Sequence, residues 1–91
     1  MAGGVRCVVF GKVQGVWFRA WTRDLAVSLG LRGFVRNRAD GSVEAYAEGE
    51  AEPLETFRQR LAEGPPLARV ERVETQAVDS GEECRGFEIR R

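Results

Sequence analysis

The chain is short, ordinary in composition and electrically balanced, and each of these properties excludes a class of protein. Its 91 residues are 43% hydrophobic and 31% charged, with 14 basic and 14 acidic residues, which is typical of one domain with one core. No apolar run is long enough to span a bilayer, and the first residues lack the apolar segment of a secretion signal. We therefore predict one domain over residues 1–91, with its core from about residue 5 to 91, in a cytoplasmic protein that binds no membrane.

The chain contains no histidine and only two cysteines, Cys7 and Cys84. The lack of histidine excludes a Ser-His-Asp triad, a Cys-His pair and the usual histidine ligands of zinc. Two cysteines form neither a disulfide framework nor a four-ligand zinc site. We expect Cys7 to be a small buried residue of the first strand, and we expect neither a metal nor a cofactor.

The two parts of the chain carry opposite charge. Residues 5–38 hold seven basic residues and one acidic residue, whereas residues 39–91 hold seven basic and thirteen acidic residues. A basic region suits an anionic ligand, unless the opposite charges interleave and cancel once the chain is folded. The neutral total argues against a nucleic-acid partner, because nucleic-acid binding favours a net basic domain.

The first part of the chain predicts a strand, a glycine loop, a helix and a second strand. Residues 5–10 are rich in valine and predict the first strand, which is followed by a loop from Gly11 to about Trp17. Helical spacing then follows, and Gly30 is the predicted stop of this helix. Residues 31–38 predict the second strand. The apolar positions of the helix are Phe18, Trp21, Leu25, Ala26 and Leu29.

The second part predicts a hairpin followed by a helix and two more strands. Asp40-Gly41 is a hairpin signal, and the alternation over residues 42–48 predicts a half-buried third strand. Pro53 fits the first turn of a second helix, which the Gly-Pro-Pro segment at 64–66 ends. The remaining predicted segments are a strand at 70–78, a polar turn at 79–85 and a short strand at 87–89.

The predicted order is βαββαβ with a short extra strand at the end. This order predicts an α+β fold of the ferredoxin-like, split βαβ type, with two helices packed on one face of a largely antiparallel sheet. The order of the strands and the pairing of the last strand are not fixed by the sequence.

The junction between the first strand and the first helix has the residue types of an anion-binding site. Gly11 and Gly15 let the backbone turn and approach a ligand closely. The start of a helix offers unpaired N–H groups and a partial positive charge, and Arg19 adds a planar fork of donors suited to phosphate oxygens. The loop is not a Walker A motif, because Gly11-Lys12 is followed by Val13 rather than by a hydroxyl residue that could bind Mg²⁺.

Asn37 is the only asparagine of the chain and lies near the end of the second strand. Strand alternation places it on the same face as Val35. An asparagine beside a turn often bonds to the local backbone, so its position alone does not assign it a function.

Two segments together resemble the two signatures of the acylphosphatase family. They are Gly-Lys-Val-Gln-Gly-Val-Trp-Phe-Arg at 11–19 and Gly-Phe-Val-Arg-Asn-Arg-Ala-Asp-Gly-Ser-Val-Glu at 33–44. The resemblance covers nearly the whole chain and extends to its length and to the predicted order of elements. Arg38 stands where many relatives carry a small hydroxyl residue, which alters the charge near the site without removing a catalytic group.

The resemblance implies an enzyme that hydrolyses acyl phosphates to a carboxylate and inorganic phosphate without a metal. By the same resemblance, Arg19 binds the phosphoryl group and Asn37 holds the attacking water in line with the leaving carboxylate. No general base is evident, and an oxygen of the substrate's own phosphate is one candidate proton acceptor. The loop residues whose backbone N–H groups surround the other phosphoryl oxygens are Gln14, Gly15, Val16, Trp17 and Phe18.

Other functions and placements stay open at this point. A non-catalytic module of the same fold could bind a small anion or a carbamoyl-phosphate-like ligand for a larger assembly. An RNA-binding sheet would need exposed aromatic residues on its central strands, whereas the third strand offers only Tyr46. Trp21 is expected in the core, and Trp17 either packs under the loop or lines the mouth of the pocket. Nothing in the sequence requires more than a monomer.

Overall fold

The computed structural model describes residues 2–78 and 84–90. The predicted order of elements is confirmed, and the predicted polar turn falls largely on residues 79–83, which lie outside the described residues. The elements are β1 (Ala2–Lys12), α1 (Phe18–Ser28), β2 (Arg32–Asn37), β3 (Val43–Glu50), α2 (Ala51–Glu63), β4 (Arg69–Val78) and β5 (Phe87–Arg90).

The five strands form one sheet in the order β4-β1-β3-β2-β5. β1 pairs antiparallel with both β3 and β4, and β2 pairs antiparallel with β3. β5 lies at the edge of the sheet, parallel to β2. The register places Val5, Cys7 and Val9 of β1 opposite apolar residues of β3, so one face of the sheet is apolar. α1 packs on β2 and β5, and α2 packs on β1, β3 and β4. This confirms the predicted ferredoxin-like arrangement, with both helices contributing to one core.

The two helices begin and end close to the predicted residues. Gly30 ends α1 as predicted, because its N–H bonds to the Val27 carbonyl at 3.1 Å and the Leu31 N–H bonds to the Ala26 carbonyl at 2.9 Å, which is the Schellman arrangement. α2 ends at Glu63, directly before the predicted Gly-Pro-Pro stop. At 11 and 13 residues, these helices of the described chain are too short and too polar to cross a membrane.

The β3 strand corrects one prediction, since it is buried on both faces rather than half-buried. Val43, Ala45 and Ala47 face the helices as predicted, but Glu44 and Glu48 on the opposite face are only 8% and 3% exposed. We call that opposite face the open face, because neither helix covers it. β3 is the central strand, so side chains from both neighbouring strands can reach across it.

Arginines of β1 and β2 cover the glutamates of the open face. Glu44 pairs with Arg6 at 3.1 Å and with Arg36 at 2.5 Å, and Glu48 pairs with Arg32 at 3.4 Å. These pairs join the basic part of the sequence to its acidic part. The opposite charges therefore interleave on this face, which does not form a basic surface.

Candidate active site

Two glycines shape the loop between β1 and α1 for different reasons. A Cβ atom on Gly11, which has φ +131°, would lie 2.1 Å from the backbone oxygen of Arg69, at the point where the β1–β4 register shifts. Only glycine fits this close approach. Gly15 has open space around it, but its φ of +73° lies in the left-handed region that side chains disfavour. The loop therefore needs glycine at position 11 for steric reasons and at position 15 for its backbone conformation.

Trp17 is the residue directly before α1, and it leaves the helix start uncapped. It adopts a left-handed conformation with φ 65° and ψ 19°, and its side chain makes no capping hydrogen bond. Its carbonyl oxygen accepts the N–H of Trp21 at 3.0 Å. Capping residues are normally Ser, Thr, Asp or Asn, whose oxygen accepts a bond from the first helical amides. An indole has no such oxygen, so these amides stay available to a ligand.

The backbone N–H groups of the loop extend this row of available donors. Within residues 2–78 and 84–90, Gly15, Val16 and Trp17 donate no backbone hydrogen bond to another residue. The first turn of α1, which starts at Phe18, contains no acidic residue that would compete for these donors. The loop and the helix start therefore present consecutive N–H groups and the positive end of the helix dipole to one region.

A cavity of about 640 Å³ lies in this region and brings together residues from three elements. Arg19 reaches it from the start of α1 and Asn37 from the end of β2, so most of both elements lies between them in the sequence. Of the five predicted loop residues, Gly15, Trp17 and Phe18 line the cavity; Val16 instead has a buried side chain in the core. The complete lining is Val13, Gly15, Trp17, Phe18, Arg19, Ala20, Asn37 and Ile89.

The Arg19 side chain has no acidic partner in the described part of the chain. Its neighbour on the helix, Arg23, differs because it pairs with Asp24 at 3.3 Å. Arg19 is partly buried and lines the cavity. A partly buried guanidinium without an acidic partner presents a positive charge and several hydrogen-bond donors to a ligand in the cavity.

The side-chain oxygen of Asn37 is buried and has no hydrogen-bond partner among the described residues. Strand alternation explains its direction, because Arg36 reaches Glu44 on the open face and Asn37 therefore faces the helices. Leaving a buried acceptor unsatisfied costs about 1–3 kcal/mol. Such an oxygen is suited to accept a hydrogen bond from a water molecule or a ligand in the cavity.

The Gln14 side chain connects the glycine loop to the hairpin that follows Asn37. Its Nε2 donates to the backbone oxygens of Arg38 at 2.8 Å and Ser42 at 2.9 Å. The Ser42 oxygen also accepts the Arg38 N–H at 2.8 Å. The sequence predicted a role only for the backbone of Gln14, because no local pattern connects residue 14 to residues 38 and 42.

Asp40 holds the turn of this hairpin. Its Oδ1 accepts the Ser42 hydroxyl at 2.5 Å and the Ser42 N–H at 2.9 Å. The hydroxyl bond first, and then the backbone bond, lower the pKa of Asp40 below its ordinary value of 3.8. A carboxyl group whose pKa is lowered in the folded protein stabilises the fold at pH values above its ordinary pKa. This contribution is lost as the pH falls through the lowered pKa. The turn therefore keeps its ionised carboxylate throughout the neutral range.

The remaining residues singled out in the sequence are Cys7 and the two tryptophans. Cys7 is fully buried, as predicted, and burial raises the pKa of its thiol, which keeps it protonated and unreactive at neutral pH. Trp21 packs against the core as predicted, with its ring 5.6 Å from that of Phe18. Trp17 is 78% exposed, which places it at the mouth of the cavity rather than under the loop.

Comparisons with known proteins identify the family of this chain. A family model described as Acylphosphatase matches residues 5–89. A protein named acylphosphatase from Nitrosococcus oceani is 50% identical over 86 residues, which cover 94% of this chain and 96% of that protein. The crystal structure of acylphosphatase from Bacillus subtilis superposes with a TM-score of 0.94 at 35% identity and full coverage of both chains. The chain also matches 12% of the T. kodakarensis HypF structure, with a TM-score of 0.84 and 34% identity.

Proposed function

The chain belongs to the acylphosphatase family, and we propose that its cavity hydrolyses acyl phosphates through Arg19, the loop amides and Asn37. One observation carries this proposal. Within the described residues, a guanidinium without an acidic partner and a buried amide oxygen without a hydrogen-bond partner line the same cavity at an uncapped helix start. A phosphoryl group with an attacking water molecule supplies what each of these groups lacks.

The phosphoryl group would be held by Arg19 and by the amides of residues 14–18. Phosphoryl transfer passes through a loose transition state, so that catalysis depends mainly on positioning and on stabilising charge. Hydrogen bonds to charged groups contribute about 1.5–3 kcal/mol each. Several such bonds on one phosphoryl group would supply the electrostatic part of the rate enhancement.

Asn37 would orient the attacking water by accepting a hydrogen bond from it. The water oxygen forms a bond to phosphorus while the bond between phosphorus and the carboxylate oxygen breaks. An acyl phosphate dianion and water thus give a carboxylate and dihydrogen phosphate, which carries both protons of the water. Because the amide is neutral, Asn37 orients the water without repelling the anionic substrate, as an aspartate would.

The leaving group explains why so few residues are enough. A carboxylate leaves as a stable anion, so no strong acid is needed to protonate it. The proposed reaction uses neither a metal nor a cofactor, and it assigns no residue as general base.

The finer description of the protein is part of the same proposal: we infer a cytoplasmic monomer that binds no nucleic acid. Cys7 is a buried thiol that forms no disulfide, as is usual in reducing compartments. The arginines that cover the centre of the open face, Arg6, Arg32 and Arg36, are paired with glutamates. Size-exclusion chromatography with light scattering would reveal any dimer.

A non-catalytic anion-binding module is the second candidate function. It is supported by the match to 12% of HypF, which shows that the same fold occurs as a portion of a much longer chain. A module of this kind would bind inorganic phosphate or carbamoyl phosphate in the same cavity but would not release phosphate catalytically.

The deciding experiment measures inorganic phosphate released from benzoyl phosphate by the purified protein with EDTA present. We expect saturable turnover that EDTA does not reduce and that inorganic phosphate inhibits competitively. Phosphate binding without turnover would favour the binding module. Turnover abolished by EDTA and restored by a divalent metal would contradict the metal-free part of the proposal.

A further inference from the structure

The fold does not explain the presence of tryptophan at position 17. Its side chain is 78% exposed, although tryptophan is on average a strongly buried residue. Its backbone has φ 65°, a conformation that costs free energy in residues other than glycine. It also makes no capping hydrogen bond. The Trp17 side chain is not packed in the core and does not cap the helix, and its backbone conformation is unfavourable. Contact with a ligand best explains such a residue.

The cavity wall shows what that ligand would be. Its polar side consists of Arg19, Asn37 and the amides of the loop, which the proposed function uses for the phosphoryl group and water. Its apolar side consists of Trp17, Val13, Phe18, Ala20 and Ile89. Val13 and Phe18 are only 1% and 2% exposed, and Ala20 and Ile89 are partly buried, so the indole of Trp17 is the most exposed apolar side chain of the lining. The phosphoryl seat therefore has a flat aromatic wall beside it.

We propose that Trp17 binds the acyl group of the substrate and makes the protein favour acyl phosphates with a flat aromatic acyl group over those with a small aliphatic one. This inference rests on the proposed function, because it takes the phosphoryl group to lie against Arg19. A benzoyl ring can stack against the indole in an offset or edge-on arrangement and remove apolar surface of both rings from water. An acetyl group has too little surface to gain much from the same wall.

Trp17 does not touch the reacting atoms in this proposal, so its side chain acts on specificity. Its removal should weaken binding of the aromatic substrate and leave the contacts to the phosphoryl group intact. The prediction therefore concerns a ratio between two substrates, which a general disturbance of the loop would not change.

The kinetic experiment compares benzoyl phosphate with acetyl phosphate for the wild type, Trp17→Ala and Trp17→Phe. We expect Trp17→Ala to lower kcat/KM for benzoyl phosphate about tenfold, which corresponds to about 1.4 kcal/mol, through a higher KM. The value for acetyl phosphate should change less than about twofold, and Trp17→Phe should recover most of the loss because it keeps a ring.

Trp17→Asn provides a second ringless variant whose side chain tolerates the left-handed backbone. Leu67→Ala, which shortens another exposed apolar side chain (67% exposed) outside the cavity lining, is the matched control and should change neither substrate.

A binding experiment separates this inference from the proposed function. Benzoylmethylphosphonate and acetylmethylphosphonate replace the bridging oxygen with a methylene group, so calorimetry measures their affinity without turnover. A protein that turns over neither acyl phosphate would refute the proposed function, and a benzoyl preference lost in Trp17→Ala would still support the acyl-binding role. Equal loss for both compounds, or no loss for either, would overturn that role whatever the turnover.

Discussion

The cavity beside α1 and the open face of the sheet use arginine in opposite ways. On the open face, Arg6 and Arg36 pair with the buried Glu44, and Arg32 pairs with Glu48. At the cavity, Arg19 has no acidic partner among the described residues. A paired guanidinium serves the fold, because its charge is already compensated. A guanidinium that has no acidic partner among the described residues and also lines a cavity, as Arg19 does, keeps its charge and its donors for a ligand.

Aromatic side chains show the same contrast between the two regions. On the open face, Phe34 and Tyr46 are only 5% and 1% exposed, and the guanidinium of Arg90 lies 4.1 Å from the centre of the Phe34 ring. At the cavity, Trp17 is 78% exposed. These two rings are therefore covered and unavailable for stacking on RNA bases, whereas the ring at the cavity is accessible.

The largest effect should follow from removing Arg19, the arginine that lines the cavity. We expect Arg19→Ala to lower kcat/KM for benzoyl phosphate by about 10³-fold or more, on the scale of arginines that stabilise phosphoryl transfer, and to abolish inhibition by inorganic phosphate. Arg19→Lys should restore only part of the activity, because an ammonium lacks the planar fork. Arg32→Ala, which removes a paired arginine, is the control and should keep near wild-type kinetics. Equal losses in both variants would break the distinction between the two regions.

Asn37→Ala should have the next largest effect. We expect kcat to fall roughly 10²-fold, the scale of a positioned catalytic group, because the attacking water loses its acceptor. The inhibition constant of inorganic phosphate should stay close to the wild-type value, since the phosphoryl contacts remain. Full turnover in this variant would show that Asn37 does not position the water.

Glu48→Ala tests the open face and should affect stability rather than activity. Glu48 accepts hydrogen bonds from the Tyr46 hydroxyl at 2.8 Å and the Cys84 N–H at 3.3 Å, in addition to its pair with Arg32. Removing this buried acceptor should cost about 2 kcal/mol in the free energy of unfolding, measured by urea denaturation. The kcat and KM of the folded protein for benzoyl phosphate should be unchanged. Glu55→Ala, which breaks an exposed pair with Arg58 on α2, should change stability little.

Gln14→Ala should give the smallest of these effects and tests the connection between the loop and the hairpin. We expect kcat to fall about tenfold, because the hairpin that carries Asn37 loses two hydrogen bonds to the loop. If Gln14 acts by positioning Asn37, the same substitution should cost little in an Asn37→Ala background. Gln59→Ala on the exposed face of α2 is the matched control and should leave kcat unchanged. An equal effect of Gln14→Ala in both backgrounds would show that Gln14 acts independently of Asn37.

The sequence alone determined the elements and several of their ends. Gly30 and the Gly-Pro-Pro segment at 64–66 ended the two helices as predicted, and Asp40-Gly41 marked the hairpin. These signals are local, because they act through backbone conformation and hydrogen bonds within a few residues. The two signature segments likewise named Arg19 and Asn37 as site residues before any cavity was known.

Only the tertiary structure decided which distant residues meet. It placed β5 parallel to β2, buried Glu44 and Glu48 under arginines, joined Gln14 to the hairpin and left Trp17 exposed. Each of these outcomes depends on which strands become neighbours. Alternation along β3 could show that its two faces differ, but not that β1 and β2 would supply cations to cover one of them. The partners of a side chain are set by contacts between elements far apart in the sequence, and a pattern confined to one segment carries no information about them.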